Sequence, residues 1–144
     1  MKIDHTAIQA ILPHRDPILL LDTIEITNPG ISGKSILKFS QSLALWDTLT
    51  AAALKDELIL EGAAQLLGVV LSSSNSPDRK PDEGGERLLL SFDQVDFDDP
   101  ADSDLPVTVS VTVVSRFGSL SAGNFKAEQQ QRKLASGKIV VLGG

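Results

Sequence analysis

A chain of 144 residues is the length of one domain, which at this size buries roughly 70% of the surface its unfolded form exposes, so no second core is expected. Its 42% hydrophobic and 22% charged content is that of a folded globular protein rather than a disordered one. A net charge of -6 argues against nucleic-acid or anionic-membrane binding through a cationic surface, and the absence of cysteine excludes a disulfide framework and thiolate chemistry. The N-terminal residues show no basic region followed by an apolar core, so no signal peptide is expected and the cytoplasm is the default location.

In chain order, residues 1–12 place Ile3, Ala7, Ile8, Ile11 and Leu12 at the spacing of a short amphipathic helix, with Asp4 as a cap and Pro13 as its end. Residues 17–26 and 32–39, joined by Thr27-Asn28-Pro29-Gly30, read as a two-stranded hairpin. Residues 40–56 carry no decisive signal, and 48–54 fit either a loop or an extra helical turn. Residues 58–71 form a nearly continuous apolar run, the mark of a buried helix. At roughly 22 Å it matches a domain diameter and is too short for a membrane span.

Beyond that run, residues 72–86 are rich in Ser, Pro, Gly and charge without periodicity, and a mobile loop is expected over about 73–86. Four strands follow, over 87–97, 105–115, 120–129 and 134–142. Val107, Val109, Val111 and Val113 alternate with Thr108, Ser110, Thr112 and Val114, the period of a strand with one buried face. The turns fall at 99–106, 116–119 and 130–133. One long helix between a hairpin and a meander predicts an α+β fold in a single domain, with an antiparallel sheet of five to six strands wrapped around the helix. The open edges of such a sheet call for cover, and a homodimer that continues the sheet is expected.

The helix run contains Glu61 and Gln65, four residues apart and hence on one face. A carboxylate there needs a partner, because burying an unpaired charge is strongly unfavourable. It is either a general base or nucleophile, or a structural carboxylate held by hydrogen bonds. Gln65 is either an orienting group or a satisfied buried amide. Gly62, Ala63, Ala64 and Gly68 allow close backbone approach. Trp46 is read as core or interface, with a pocket lid as the alternative. The acidic residues from Asp93 to Asp104 lack the Gly and terminal Glu of a calcium loop, and no metal site or cofactor is expected.

These residues carry a family resemblance that spans nearly the whole chain. Leu12-Pro13-His14-Arg15-Asp16-Pro17-Ile18-Leu19-Leu20-Leu21-Asp22 resembles the lead into the first strand of the hotdog-fold 3-hydroxyacyl-[acyl-carrier-protein] dehydratases of the FabZ type. Leu58-Ile59-Leu60-Glu61-Gly62-Ala63-Ala64-Gln65 is similar to their central-helix motif. Residues 117–119 and 124–127 resemble a late strand of that family more weakly.

The resemblance implies a hotdog fold and an acyl thioester on acyl carrier protein or coenzyme A, handled in fatty-acid or polyketide-type metabolism. It implies Glu61 as the catalytic carboxylate and Leu58, Gly62, Gln65 and Trp46 around the substrate, with backbone N–H groups near the helix start polarising the carbonyl. Dehydration requires one group to take the C2 proton and another to protonate the C3 hydroxyl. In the family a His about fourteen residues before the Glu is the second group. Here that position is Asp47, a weak substitute, and the only histidines are His5 and His14.

A second departure is acidic. Phe97-Asp98-Asp99 stands where the family commonly has basic residues, so docking of an acidic carrier falls to Arg79, Lys80, Arg116, Lys126, Arg132 or Lys133. His14 and Arg15 are read as structural, with Arg15 pairing a carboxylate such as Asp22. Three readings stay open: a dehydratase-like protein with impaired catalysis, a thioesterase that uses the helix Glu, or a non-catalytic partner of an active homologue.

Overall fold

The protein is represented by a computed structural model that describes residues 2–4, 6, 21–37, 51–73, 88–98 and 106–142. Its elements are β1 (Lys2–Ile3), β2 (Leu21–Asn28), β3 (Ser32–Leu37), α1 (Ala51–Ser72), β4 (Leu88–Phe97), β5 (Val107–Phe117), β6 (Leu120–Gln129) and β7 (Arg132–Leu142). The seven described strands form one antiparallel sheet in the order β1-β2-β3-β5-β6-β7-β4. Helix α1 packs on β2, β3, β5 and β6, the middle of that sheet.

The alternation of β5 is realised in burial. Val107, Val109 and Val111 are 2% exposed or less, while Thr108 and Thr112 face solvent. A strand has a side-chain period of two, so one face of β5 lies on α1 and the other is open. Ile59, Ala63, Leu66, Leu67 and Val70 of α1 meet this face together with Leu21, Ile24, Leu37, Phe125 and Ile139 to form the core. Phe125 also packs edge-to-face with Phe92 of β4, at 6.4 Å between ring centroids.

Turn chemistry sets the register. Gly30 (φ 72°) and Gly118 (φ 60°) occupy the left-handed region in the β2–β3 and β5–β6 turns, where glycine carries no Cβ penalty. The β6–β7 turn instead places Gln130 and Gln131 at φ 51° and 65°. Ile31 N–H donates to Asn28 O at 2.9 Å, and Val113 N–H reaches Ile31 O across the sheet at 2.6 Å. At the C-terminal end of α1, Ser73 Oγ accepts from Gly30 N–H at 3.0 Å, and Arg116 donates to Gly30 O from β5. These contacts fix the helix end to the β2–β3 turn.

One expectation changes. Lys2 and Ile3, read as the start of a helix, form a strand opposite Glu25 and Ile24, which raises the strand count from five or six to seven. Ile3 is 8% exposed, so pairing with the β2 edge buries the apolar side chain that a helix was expected to bury. Of the two alternatives open for 48–54, the helical one is seen from Ala51 onward, so α1 starts seven residues before the apolar run. The segment Ala51-Ala52-Ala53-Leu54 explains this, since Ala and Leu are strong helix formers even where no apolar stripe marks them. Ser72 closes the helix and Ser73 forms a turn, whereas 74–86 of the expected loop lies outside the described residues. The expected hairpin start at 17–20, most of the expected N-terminal helix and the 99–105 turn lie outside them as well.

Candidate functional site

Helix α1 is buried on the face that meets the sheet and half-buried along one stripe. Ile59, Ala63, Leu66, Leu67 and Val70 are withdrawn from solvent, whereas Glu57 is exposed and Leu58, Glu61, Ala64, Gly68 and Ser72 are half-buried. That stripe is where α1 can meet a ligand. Glu61 stands at its centre.

Gln65, one turn later, is 2% exposed, and its Nε2 donates to Glu61 Oε1 at 3.3 Å. A buried amide needs hydrogen-bond partners, and this one meets a carboxylate of the same face. The consequence is orientation: the donor restricts the Glu61 side chain to rotamers that keep the contact. The contact joins the Gln65 amide to Glu61 on one helix face.

Gly62 lies next to Glu61 and is buried against β3. A Cβ at this position would sit 2.5 Å from Leu37 Cδ2 and 3.3 Å from Leu37 Cδ1. Its lack of a side chain is filled by Leu37. Leu58 packs against the core while keeping part of its surface open. Asp47, Trp46, His14 and Arg15 lie outside the described residues, while Asp22, the carboxylate paired with Arg15 in the sequence reading, sits half-buried in β2.

The start of α1 also relocates a feature. Ala51 precedes Glu61 by ten residues, roughly 15 Å of helix. The first described turn of α1 is therefore not beside Glu61, and the backbone N–H of Gly62 belongs to the interior of a helical ladder. A carbonyl bound at Glu61 must draw its polarising donors from elsewhere.

Two further carboxylates of α1, Asp56 and Glu57, lie between the segment left open as loop or helix and the apolar run. Glu57 falls one turn before Glu61 on the same stripe. Asp56 is half-buried, and burial pushes its carboxyl above the ordinary range. The signal that was available is the Ala-rich propensity of 51–54, which extends the helix back through both positions.

Three of the cations considered for carrier docking have partners within the chain. Lys126 pairs with Glu128 at 3.2 Å, Lys133 pairs with Asp98 at 3.3 Å, and Arg116 donates to Gly30 O. Arg79 and Lys80 lie outside the described residues. Among the described residues no group of three or more His, Asp or Glu side chains is placed to hold a metal ion, and no helix is long and apolar enough to cross a membrane.

No protein-family model matches the chain. It is 30% identical over 130 residues to the 3-hydroxyacyl-[acyl-carrier-protein] dehydratase FabZ of an Anaeromyxobacter species, covering 82% of this chain and 75% of that protein. It is 27% identical over 141 residues to FabZ of Streptococcus thermophilus, with 96% of each chain covered.

Among solved structures, the dehydratase heterocomplex ApeI:P from Xenorhabdus doucetiae superposes with a TM-score of 0.71 at 18% identity, covering 95% of this chain and 90% of that one. A hypothetical thioesterase with coenzyme A from Streptococcus pneumoniae superposes with a TM-score of 0.60 at 12% identity, covering 84% and 85%. These structural likenesses show the hotdog fold, and the sequence relationship shows the family: the chain belongs to the FabZ-type 3-hydroxyacyl-[acyl-carrier-protein] dehydratases.

Proposed function

We propose that this protein binds a 3-hydroxyacyl thioester, on acyl carrier protein or coenzyme A, and interconverts it with the enoyl thioester, using Glu61 as the base for the C2 proton. The observation that carries this reading is the contact between Glu61 and Gln65 on the half-buried stripe of α1. An acid–base group must be held at a fixed place beside its substrate and reach it from a partly desolvated surface. Family membership supplies the substrate class.

The reaction needs no redox or group-transfer partner. Glu61 takes the proton from C2, the C–H electron pair becomes the C2–C3 double bond, and the C3 hydroxyl leaves as water after receiving a proton. Asp47, at the position of the family His, is one source of that proton. Gln65 keeps Glu61 aimed, Leu58 supplies apolar surface, and Gly62 lets β3 close on the helix. Trp46 belongs to the same proposed pocket.

Hydrolysis of the thioester is the second reading, favoured by the single family carboxylate that remains: one carboxylate suffices to attack the carbonyl or activate water. The purified protein incubated with crotonyl and 3-hydroxybutyryl thioesters separates the two. A change in double-bond absorbance without thiol release supports dehydration. Thiol release without that change contradicts it and supports hydrolysis, and neither signal supports a non-catalytic partner.

We also propose a homodimer. Strand β4 is the last strand of the described sheet, and an edge of ten residues that no described strand pairs is a template for strand addition. A monomer mass in solution at micromolar concentration contradicts this.

A further inference from the structure

Helix α1 places Glu57 one turn before Glu61 and Gln65 one turn after it. At this spacing neighbouring Cβ atoms lie roughly 5–6 Å apart on one face. Exposure falls along the row, from exposed Glu57 through half-buried Glu61 to Gln65 at 2%. Two carboxylates four residues apart weaken the helix that carries them when both are ionised. The fold nevertheless keeps this pair on the stripe of α1 that meets solvent.

On the reading of the site as a 3-hydroxyacyl thioester dehydratase, we propose that Glu57 is its second acid–base group, the one that protonates the departing hydroxyl. C2 and C3 are adjacent, so two carboxyl groups on one helix face converge on a substrate lying across them. The Glu61 carboxylate takes the C2 proton, and the electron pair it leaves forms the C2–C3 double bond. The C3–O bond breaks, and the hydroxyl takes the proton of the Glu57 carboxyl and departs as water. Glu61 then passes its proton to the Glu57 carboxylate, which restores both groups and leaves enoyl thioester and one water as the only products. The burial gradient suits this division, since Gln65 holds Glu61 at the inner end and water leaves at the exposed end.

The test uses the full chain and 3-hydroxybutyryl-coenzyme A, with enoyl absorbance as the signal, for wild type, Glu57→Gln, Glu57→Asp, Glu61→Gln and Asp47→Asn. Glu57→Gln is expected to lose about 100-fold in kcat with KM unchanged, while its melting temperature stays at the wild-type value because the side chain is exposed. Glu57→Asp is expected to retain part of the rate. A wild-type rate in Glu57→Gln overturns the assignment, and so does a loss of rate accompanied by a lower melting temperature, the sign of a structural role. Loss of rate in Asp47→Asn beside an unaffected Glu57→Gln overturns it in favour of Asp47. An inactive Glu61→Gln beside a fully active Glu57→Gln removes Glu57 alone, whereas no product from wild type removes the dehydratase reading with it.

Discussion

The Gln65 amide, almost wholly withdrawn from solvent, donates to the half-buried carboxylate of Glu61 at 3.3 Å. Replacing Gln65 by Leu keeps the volume and removes the donor. A hydrogen bond to a charged group is worth about 1.5–3 kcal/mol, so stability falls by about 2 kcal/mol in urea unfolding. Turnover falls further than substrate affinity, because the donor acts on the placement of Glu61 rather than on the acyl chain. Unchanged kcat together with unchanged stability removes this account of Gln65.

Gly62 of α1 lies tight against Leu37 of β3. The methyl of Gly62→Ala would stand 2.5 Å from Leu37 Cδ2, and Leu37 is only 3% exposed, with little room to move. Overpacking of this kind costs about 1–3 kcal/mol. The urea midpoint of Gly62→Ala should drop accordingly, and Leu37→Val in the same chain should recover part of the loss by removing a methylene. A midpoint equal to wild type contradicts the predicted collision.

Burial raises the Asp56 carboxyl above its ordinary range. The folded state therefore holds that proton more tightly than the unfolded state does. The contribution of Asp56 to stability is most favourable below the ordinary aspartate range and declines as pH rises through the raised value. Asp56→Asn lacks this decline. Its urea midpoint should exceed that of wild type at about pH 7, and the gap should close toward about pH 3, below the unfolded aspartate value. A gap independent of pH contradicts the cause assigned here.

Much of the fold is legible because it is local. The Val107 to Val113 alternation marks β5, and Asn28-Pro29-Gly30 and Phe117-Gly118-Ser119 mark turns that the structure contains. The two-residue strand β1 is not legible, because Ile3 belongs to a strand only through its pairing with Ile24. The start of α1 was obscured for a different reason. Hydrophobic periodicity finds the apolar run from Leu58 onward, whereas residues 51–57 are helical without such a run in their sequence.

The site divides in the same way. The spacing of Glu61 and Gln65 is a property of the helix and is visible in the sequence, so their contact follows from it. Gly62 is different: its tight contact is with Leu37, on another element, and nothing in the local sequence names that partner. Glu57 became visible as a member of the Glu61 row only when the helix extended past it.

The central claim is that Glu61 is the base of a 3-hydroxyacyl thioester dehydratase. Its most direct test is the rate of enoyl formation from 3-hydroxybutyryl-coenzyme A by wild type and by Glu61→Gln, with circular dichroism confirming that both are folded. Wild type should form the enoyl product, and Glu61→Gln should be slower by about 100-fold or more. A Glu61→Gln variant as fast as wild type, or a folded wild type that forms no enoyl product, contradicts the account.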